Sequence, residues 1–319
     1  MTSPVSQGAR ESAPLRTGLV SFGSVFLEVV FGHTPRLPLP GEEIFVDSFA
    51  FSCGGAVTSA VAARRAGASA AIATQLGNDL GSRLAERLCL QEGVDLSPSE
   101  RVDGPVAGIT VVLNYDGDRA FVTHMPPTPA PLQPQPERWC EILRQLRPAW
   151  AYLHAGPDAI MVLEAARSVG TCVVLDVNLE EIEEFPDVVV ECAHLAQLFL
   201  PNEEELRRVT GSSNVDEALA KAATWSPWVV VKRGPEGAVV AEGGSTTVVT
   251  DGLKDVEVKD LTGAGDAFAG GLVGALVRGA SLLEAVSVAN ASGSEAAARL
   301  GASGAMDLAP ELASALRGL

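Results

Sequence analysis

The sequence predicts an α/β fold: a mainly parallel central sheet covered by helices on both faces, in three layers, with a small second sheet beside it. Three observations lead there. Short, continuously apolar runs of strand length recur along the chain. Ala/Leu-rich helical stretches separate them, and apolar strands between helices imply a parallel sheet buried on both faces. Two further segments instead alternate apolar and polar residues, the period of strands with one solvated face.

Taken in order, "GLVSFGS" (18–24) reads as a buried strand, "GGAVTSAVAARRAGA" (54–68) as a helix ending at glycine, and "SAAIATQLG" as the next strand. "WAYLHAG", "CVVLDVN", "AQLFLPN" and "WVVVKRG" continue the strands, with helices expected at 158–169, 187–193, 203–210 and 215–224. Residues 36–52 and 106–123 are the alternating segments. The second contains "YDGD", a hairpin turn signal, and the pair is expected as antiparallel strands forming a flap over the main sheet. "MPPTPAPLQPQPE" (125–137) reads as a loop within one domain, and the chain has no internal repeat. The expected organisation is a flexible tail over 1–16 and a single domain over 17–319.

Composition narrows the function. The 319 residues are 47% hydrophobic and 20% charged, enough for a large core. Asp and Glu outnumber Lys and Arg 40 to 23, a formal charge of −17. That balance argues against nucleic acid or a membrane surface as partner, since both require cationic patches. It leaves room for a small anionic ligand held by backbone amides. Five scattered cysteines with no C-x-x-C pair, four isolated histidines, and a start without an apolar leader fit a cytoplasmic protein with free thiols and no zinc site.

In parallel sheets ligands bind beyond the carboxyl ends of the strands. Asn178, Asn202, Lys232 and the Thr262–Asp266 turn close those strands and are therefore the candidates. In "VKDLTGAGDAFAGGLVGAL" (258–276), Gly263, Ala264 and Gly265 precede an apolar helix. Glycines there let the unpaired amides of a helix start converge on an anion. Asp266 beside such a nest would repel a phosphate unless it faces the nucleophile as a base. A base next to a charge-stabilising hole is the minimum equipment for phosphoryl transfer to a hydroxyl. A tight turn with Asp266 as a helix cap is the plain alternative. Walker A, protein-kinase and Rossmann fingerprints are absent.

"DLTGAGDAFAGG" resembles the D-x-x-G-A-G-D-x-F signature of the ribokinase-like (PfkB) carbohydrate kinases. The resemblance runs from about Leu19 to about Gly301, through "GSVFLEVV", "QLGNDLGSRLAERLCLQEGVD", "LDVNL", "LPNEEEL" and "VVVKRGPEGAVV", in the family's order. It implies a ribokinase-like αβα sandwich with a β-sheet lid drawn from about 36–52 and 106–123, and ATP-dependent phosphorylation of a sugar or related polyhydroxy compound. Asp266 would be the general base and the amides of Gly263, Ala264 and Gly265 the anion hole. Asn202 and Glu205 would position Mg²⁺, although "NEEE" also suits a helix start. Lys232, Gly234, Gly237 and Thr262 would border ATP, and Asn290 its adenine. Asp260 resembles a position tied to a monovalent cation, leaving K⁺ stimulation and a strand-end cap as the two readings.

The acceptor end departs from the pattern. Glu28 stands where the family usually has aspartate, Ser59 where asparagine is common, and Glu180 where arginine often follows D-x-N-x. Gly54 and Gly55 still permit close backbone approach, and Asn178 completes the expected substrate set. These changes leave a nucleoside kinase, and a catalytically silent ligand sensor, as alternatives to a sugar kinase. The lid's exposed edges favour pairing with a second subunit as a homodimer.

Overall fold

A computed structural model of the chain describes residues 17–115, 118–126, 136–243, 245–250 and 256–306. The tail 1–16, the tip of the "YDGD" turn and most of the Pro-rich loop lie outside them. The main sheet contains β1 (Leu19–Phe22), β4 (Ala70–Ala73), β9 (Trp150–His154), β10 (Cys172–Asp176), β11 (Leu198–Phe199), β12 (Trp228–Lys232), β13 (Ala238–Glu242) and β14 (Ser245–Thr250). Its order is β14-β13-β12-β11-β10-β9-β1-β4. The six strands from β12 to β4 pair in parallel, while β13 and β14 are antiparallel additions at one edge.

The buried strands alternate between two cores, which is why their sequences read as continuous apolar runs. Leu19, Tyr152, Val174, Leu198 and Val230 face α1 (Ala56–Arg65), α2 (Leu80–Glu92), α9 (Ala264–Val277) and α10 (Leu282–Ala297). Val20, Leu153, Leu175, Phe199 and Val231 face the other way. They pack on α3 (Pro136–Leu146), α4 (Ala159–Val169), α5 (Leu179–Glu184), α6 (Pro186–Leu195), α7 (Glu203–Thr210) and α8 (Val215–Ala222). The three expected layers are therefore present, and the four helices foreseen at 158–224 lie within two residues of their expected bounds.

A separate four-stranded sheet has the order β3-β2-β7-β8, from β2 (Val25–Thr34), β3 (Phe49–Gly55), β7 (Gly108–Tyr115) and β8 (Asp118–His124). The short strands β5 (Gln75–Leu76) and β6 (Glu100–Arg101) pair on their own. Three expectations need correction. The lid strand placed at 36–52 starts only at Phe49; residues 36–48 are turn and coil. Pro38 and Pro40 remove ladder donors there, Glu42 N–H closes a turn onto the Leu39 carbonyl at 3.0 Å, and Arg36 pairs with Glu42. Its place is taken by β2, which pairs antiparallel with β3 but parallel with β7, so the sheet is mixed rather than antiparallel. The helix expected from Gly54 begins at Ala56, because Gly54 and Gly55 finish β3 and Gly55 (φ 69°) turns the chain.

Candidate active site

Three parallel strands end in charged or titratable residues on one edge of the sheet: β9 in His154, β10 in Asp176 and β12 in Lys232. His154 and Asp176 are register partners. Lys232 Nζ reaches across β11 to Asp176 Oδ1 at 2.7 Å, with both side chains largely buried. The Tyr152 hydroxyl lies 2.7 Å from Asp266 Oδ1, 3.0 Å from Asp176 Oδ2 and 3.3 Å from His154 Nε2. One ligand atom from each of His154, Asp176 and Asp266 falls within 4.8 Å of the others.

Asp266 enters this cluster from the first turn of α9. Gly263 caps that helix with φ 68°, a left-handed conformation, and a Cβ there would sit 2.6 Å from the Ala302 Cβ. Of the three expected anion-hole amides, Ala264 N–H closes onto the Leu261 carbonyl at 3.3 Å. The Gly263 and Gly265 amides have no acceptor among the described residues. Gly265 faces Lys232: a Cβ there would be 3.5 Å from Nζ.

Electrostatics divides the carboxyls into two kinds. Burial pushes Asp266 above the usual carboxylate range, His154 opposes this, and the Asp176 charge adds to it. Asp176 goes the other way: burial is outweighed by Lys232 and His154, which hold it low. Loss of hydration would lower His154, but the Glu181 hydrogen bond and the charges of Asp176 and Asp266 push it up to about 9. Burial raises Glu205 to about 7 despite Lys232, and raises Glu28 to about 8 with help from Asp266 and Asp260.

Glu28, on β2, is 7% exposed and its Oε2 has no hydrogen-bond partner among the described residues. Gly54 gives it room, since a Cβ on Gly54 would lie 2.1 Å from Glu28 Oε1. Two other expected acceptor residues have local partners. Ser59 is fully buried against Ser21 Oγ (2.8 Å) and the Ala56 carbonyl (3.3 Å), a packing role. Asn178 is exposed and caps α5, its Oδ1 accepting from Glu181 N–H at 2.9 Å. Both are small polar residues at helix starts, where local backbone bonds compete for the side chain.

Asn202 and Glu205 form a capping box on α7: Oδ1 accepts from Glu205 N–H at 2.9 Å and Glu205 Oε2 from Asn202 N–H at 2.6 Å. Asn202 also bridges to Lys232, placing both beside the cluster. Asp260 is buried and accepts from Thr262 N–H and Gly301 N–H, each at 2.9 Å, tying the two loops together. Lys232, Gly234, Gly237, Phe268 and Asn290 line a cleft of about 260 Å³ that opens beside Gly265. Thr262 Oγ1, buried next to the turn, has no partner among the described residues.

Sequence reasoning missed Tyr152, His154 and Asp176. The signal was present, because His154 and Asp176 close the runs "WAYLH" and "VVLD" at the end of the sheet that lines the site.

The pfkB family carbohydrate kinase model matches residues 16–308, and the chain belongs to that family. It is 27% identical to a cytidine kinase of Thermococcus kodakarensis over 84% of this chain and 91% of the relative. An aminoimidazole riboside kinase of Salmonella typhimurium is 28% identical over 81% and 86% respectively. The structure superposes on Arabidopsis thaliana ribokinase, solved with ribose and ATP, with a TM-score of 0.71 and 25% identity over 89% of this chain and 93% of that one. The family assignment makes the protein a kinase that transfers a phosphoryl group to an alcohol of a sugar or related compound.

Proposed function

We propose that the chain phosphorylates a hydroxyl of a neutral sugar or nucleoside with Mg-ATP, using Asp266 as general base. The observation that carries this reading is the position of Asp266: first turn of α9, beside two amides with no acceptor among the described residues and the buried Lys232–Asp176 pair. A carboxylate raised by burial but kept near an imidazolium and an ammonium is poised to take a proton from an approaching alcohol. The Gly263 and Gly265 amides and Lys232 would stabilise charge that builds on the transferred group.

The residues fit both ATP and Mg²⁺. The cleft lined by Gly234, Phe268 and Asn290 is mostly apolar, with Lys232 as its one charged residue among those described, a lining that suits a flat heterocycle and the phosphates that follow it. The orphaned Thr262 hydroxyl points to a polar ligand near the turn. Asn202 and Glu205 offer hard oxygen donors, and a carboxyl that burial holds near pH 7 gains most from a divalent cation. When bound, ATP supplies the phosphoryl group and Mg²⁺ offsets its charge. The lid sheet over the acceptor side would exclude water and suppress hydrolysis.

For the acceptor, Glu28, raised to about 8 by burial, is protonated near neutral pH and can donate as well as accept. The cytidine and aminoimidazole riboside kinases among the relatives favour a nucleoside as the second reading. Asp260, by holding two loops through their amides, supports a monovalent-cation site such as K⁺ beside it. Exposed Phe45, Phe49, Phe121 and Val122 near the lid support a homodimer through that sheet. Five free cysteines support a reducing, cytoplasmic setting.

An ADP-release assay with Mg-ATP against ribose, fructose, keto-acids, sugar phosphates, adenosine and cytidine tests the reading. Turnover with a neutral sugar or nucleoside is expected. Rates no higher than without acceptor, across the panel, would overturn it.

A further inference from the structure

The reading of Asp266 as base leaves unexplained what holds that carboxylate in place. Its partner is not a backbone group but the phenol of Tyr152, a side chain 2% exposed on β9. A phenol has one proton to donate, and two carboxylate oxygens compete for it: Asp266 Oδ1 at 2.7 Å and Asp176 Oδ2 at 3.0 Å. Asp176 already has Lys232 at 2.7 Å and the Val177 amide at 3.0 Å. Asp266 has no other side-chain hydrogen bond among the described residues. The shorter contact and the greater need both direct the hydroxyl proton to Asp266.

The phenol oxygen is in turn within 3.3 Å of His154 Nε2, and His154 Nδ1 lies 3.3 Å from Glu181 Oε1. Glu181 is fixed by the α5 capping box, its Oε2 accepting from Asn178 N–H at 2.9 Å. We infer that Glu181, His154 and Tyr152 form a positioning chain that aims the Asp266 carboxylate at the acceptor hydroxyl, running from the exposed start of α5 into the buried site. With the imidazole protonated, Nδ1–H donates to Glu181, Nε2–H to the phenol oxygen, and the phenol O–H to Asp266. Every link then points the same way and leaves Asp266 Oδ2 for the substrate. This explains why Asn178 caps α5: its helix anchors the outer end of the chain. No proton changes owner along it; the chain orients and stabilises the anion.

The inference rests on the base reading, and the test separates the two. Groups facing the chain are Asp176 on β10, Lys232 on β12, Glu181 on α5, Glu205 on α7 and Asp266 on α9. Tyr152→Phe keeps the ring and deletes the hydroxyl; His154→Gln acts at a side chain 41% exposed, where folding is little affected. With the best acceptor of the panel, each variant is expected to lower kcat about tenfold to hundredfold with both KM values within about twofold. The acidic limb of the kcat profile should move to higher pH, because the anion loses its donor. The double variant should be no worse than Tyr152→Phe alone, since His154 acts through the phenol. Histidine side-chain NMR gives a readout free of acceptor: His154 should titrate near 9, and lower in Asp266→Asn. Wild-type kcat and pH profile in both single variants, or a His154 midpoint near the ordinary histidine value, overturns the chain. Should those variants be normal while Asp266→Asn is inactive, only the chain fails. Should Asp266→Asn be active, the base reading fails and takes the chain with it.

Discussion

Lys232 and Asp176 close two strands separated by a third, yet their side chains meet at 2.7 Å, with Asp176 4% and Lys232 15% exposed. Two such charges are stable out of water only as a pair. Lys232→Met should therefore lower folding stability by about 3–5 kcal/mol, because it strands the Asp176 carboxylate. Lys232→Met with Asp176→Leu should recover most of the loss. Urea unfolding measures both; a single variant within about 1 kcal/mol of wild type would contradict a buried pair.

Gly263 meets two constraints at once, the left-handed backbone and the Ala302 methyl. Gly263→Ala should cost about 1–2 kcal/mol in backbone strain, and more from the contact. Adding Ala302→Gly removes the contact but not the strain, so thermal melts should show partial rescue. Turnover should fall in both, as the two amides lose their aim. An alanine variant with native melting temperature and turnover would show that the turn's conformation is not required.

Glu28 gives the stability a pH slope. Its folded pKa is raised to about 8, above the ordinary carboxylate value, so the unfolded chain releases that proton first. The corresponding stability is fully present below about pH 4.5 and is lost as pH rises through about 8, by several kcal/mol. Glu28→Gln should flatten that fall and be the more stable protein at pH 8. Urea titrations at pH 5 to 8 with parallel slopes for the two proteins would sink this account.

Gly54 leaves the space that Glu28 occupies. Gly54→Ala would push a methyl to within 2.1 Å of the carboxyl oxygen, which must then move. Acceptor KM should rise at least about tenfold while KM for ATP stays within about twofold. An unchanged acceptor KM would place the substrate away from Glu28.

Asn202 caps α7 and belongs to the proposed Mg²⁺ site. Asn202→Ala loses a helix cap, about 0.5–2 kcal/mol of stability. It should also raise the Mg²⁺ concentration for half-maximal activity. Stability loss alone, with an unaltered Mg²⁺ requirement, would leave Asn202 a cap and nothing more.

How far the sequence spoke depended on whether a residue's neighbours in the chain are its neighbours in space. Layers and helices were legible because apolar strands and capped helices such as Asn202–Glu205 carry local signals. The Asp266 turn was legible because glycine and charge sit side by side. The second sheet was half hidden: β2 is a long strand whose "VFLEVVF" run does not alternate cleanly, and its parallel partner β7 lies some eighty residues away. Tyr152, His154 and Asp176 went unread although two of them close strand runs, since only register aligns β9 with β10 and brings α9 over both. Ser59 and Asn178 stay ambiguous in sequence because a helix start uses a small polar side chain locally as readily as a ligand does.

The most direct measurement is ADP release by Asp266→Asn with Mg-ATP and the preferred acceptor, alongside ATP affinity by calorimetry. Turnover about 10²–10⁴-fold below wild type with ATP affinity retained is the expected result. Near-normal turnover would contradict the claim that this carboxylate takes the proton.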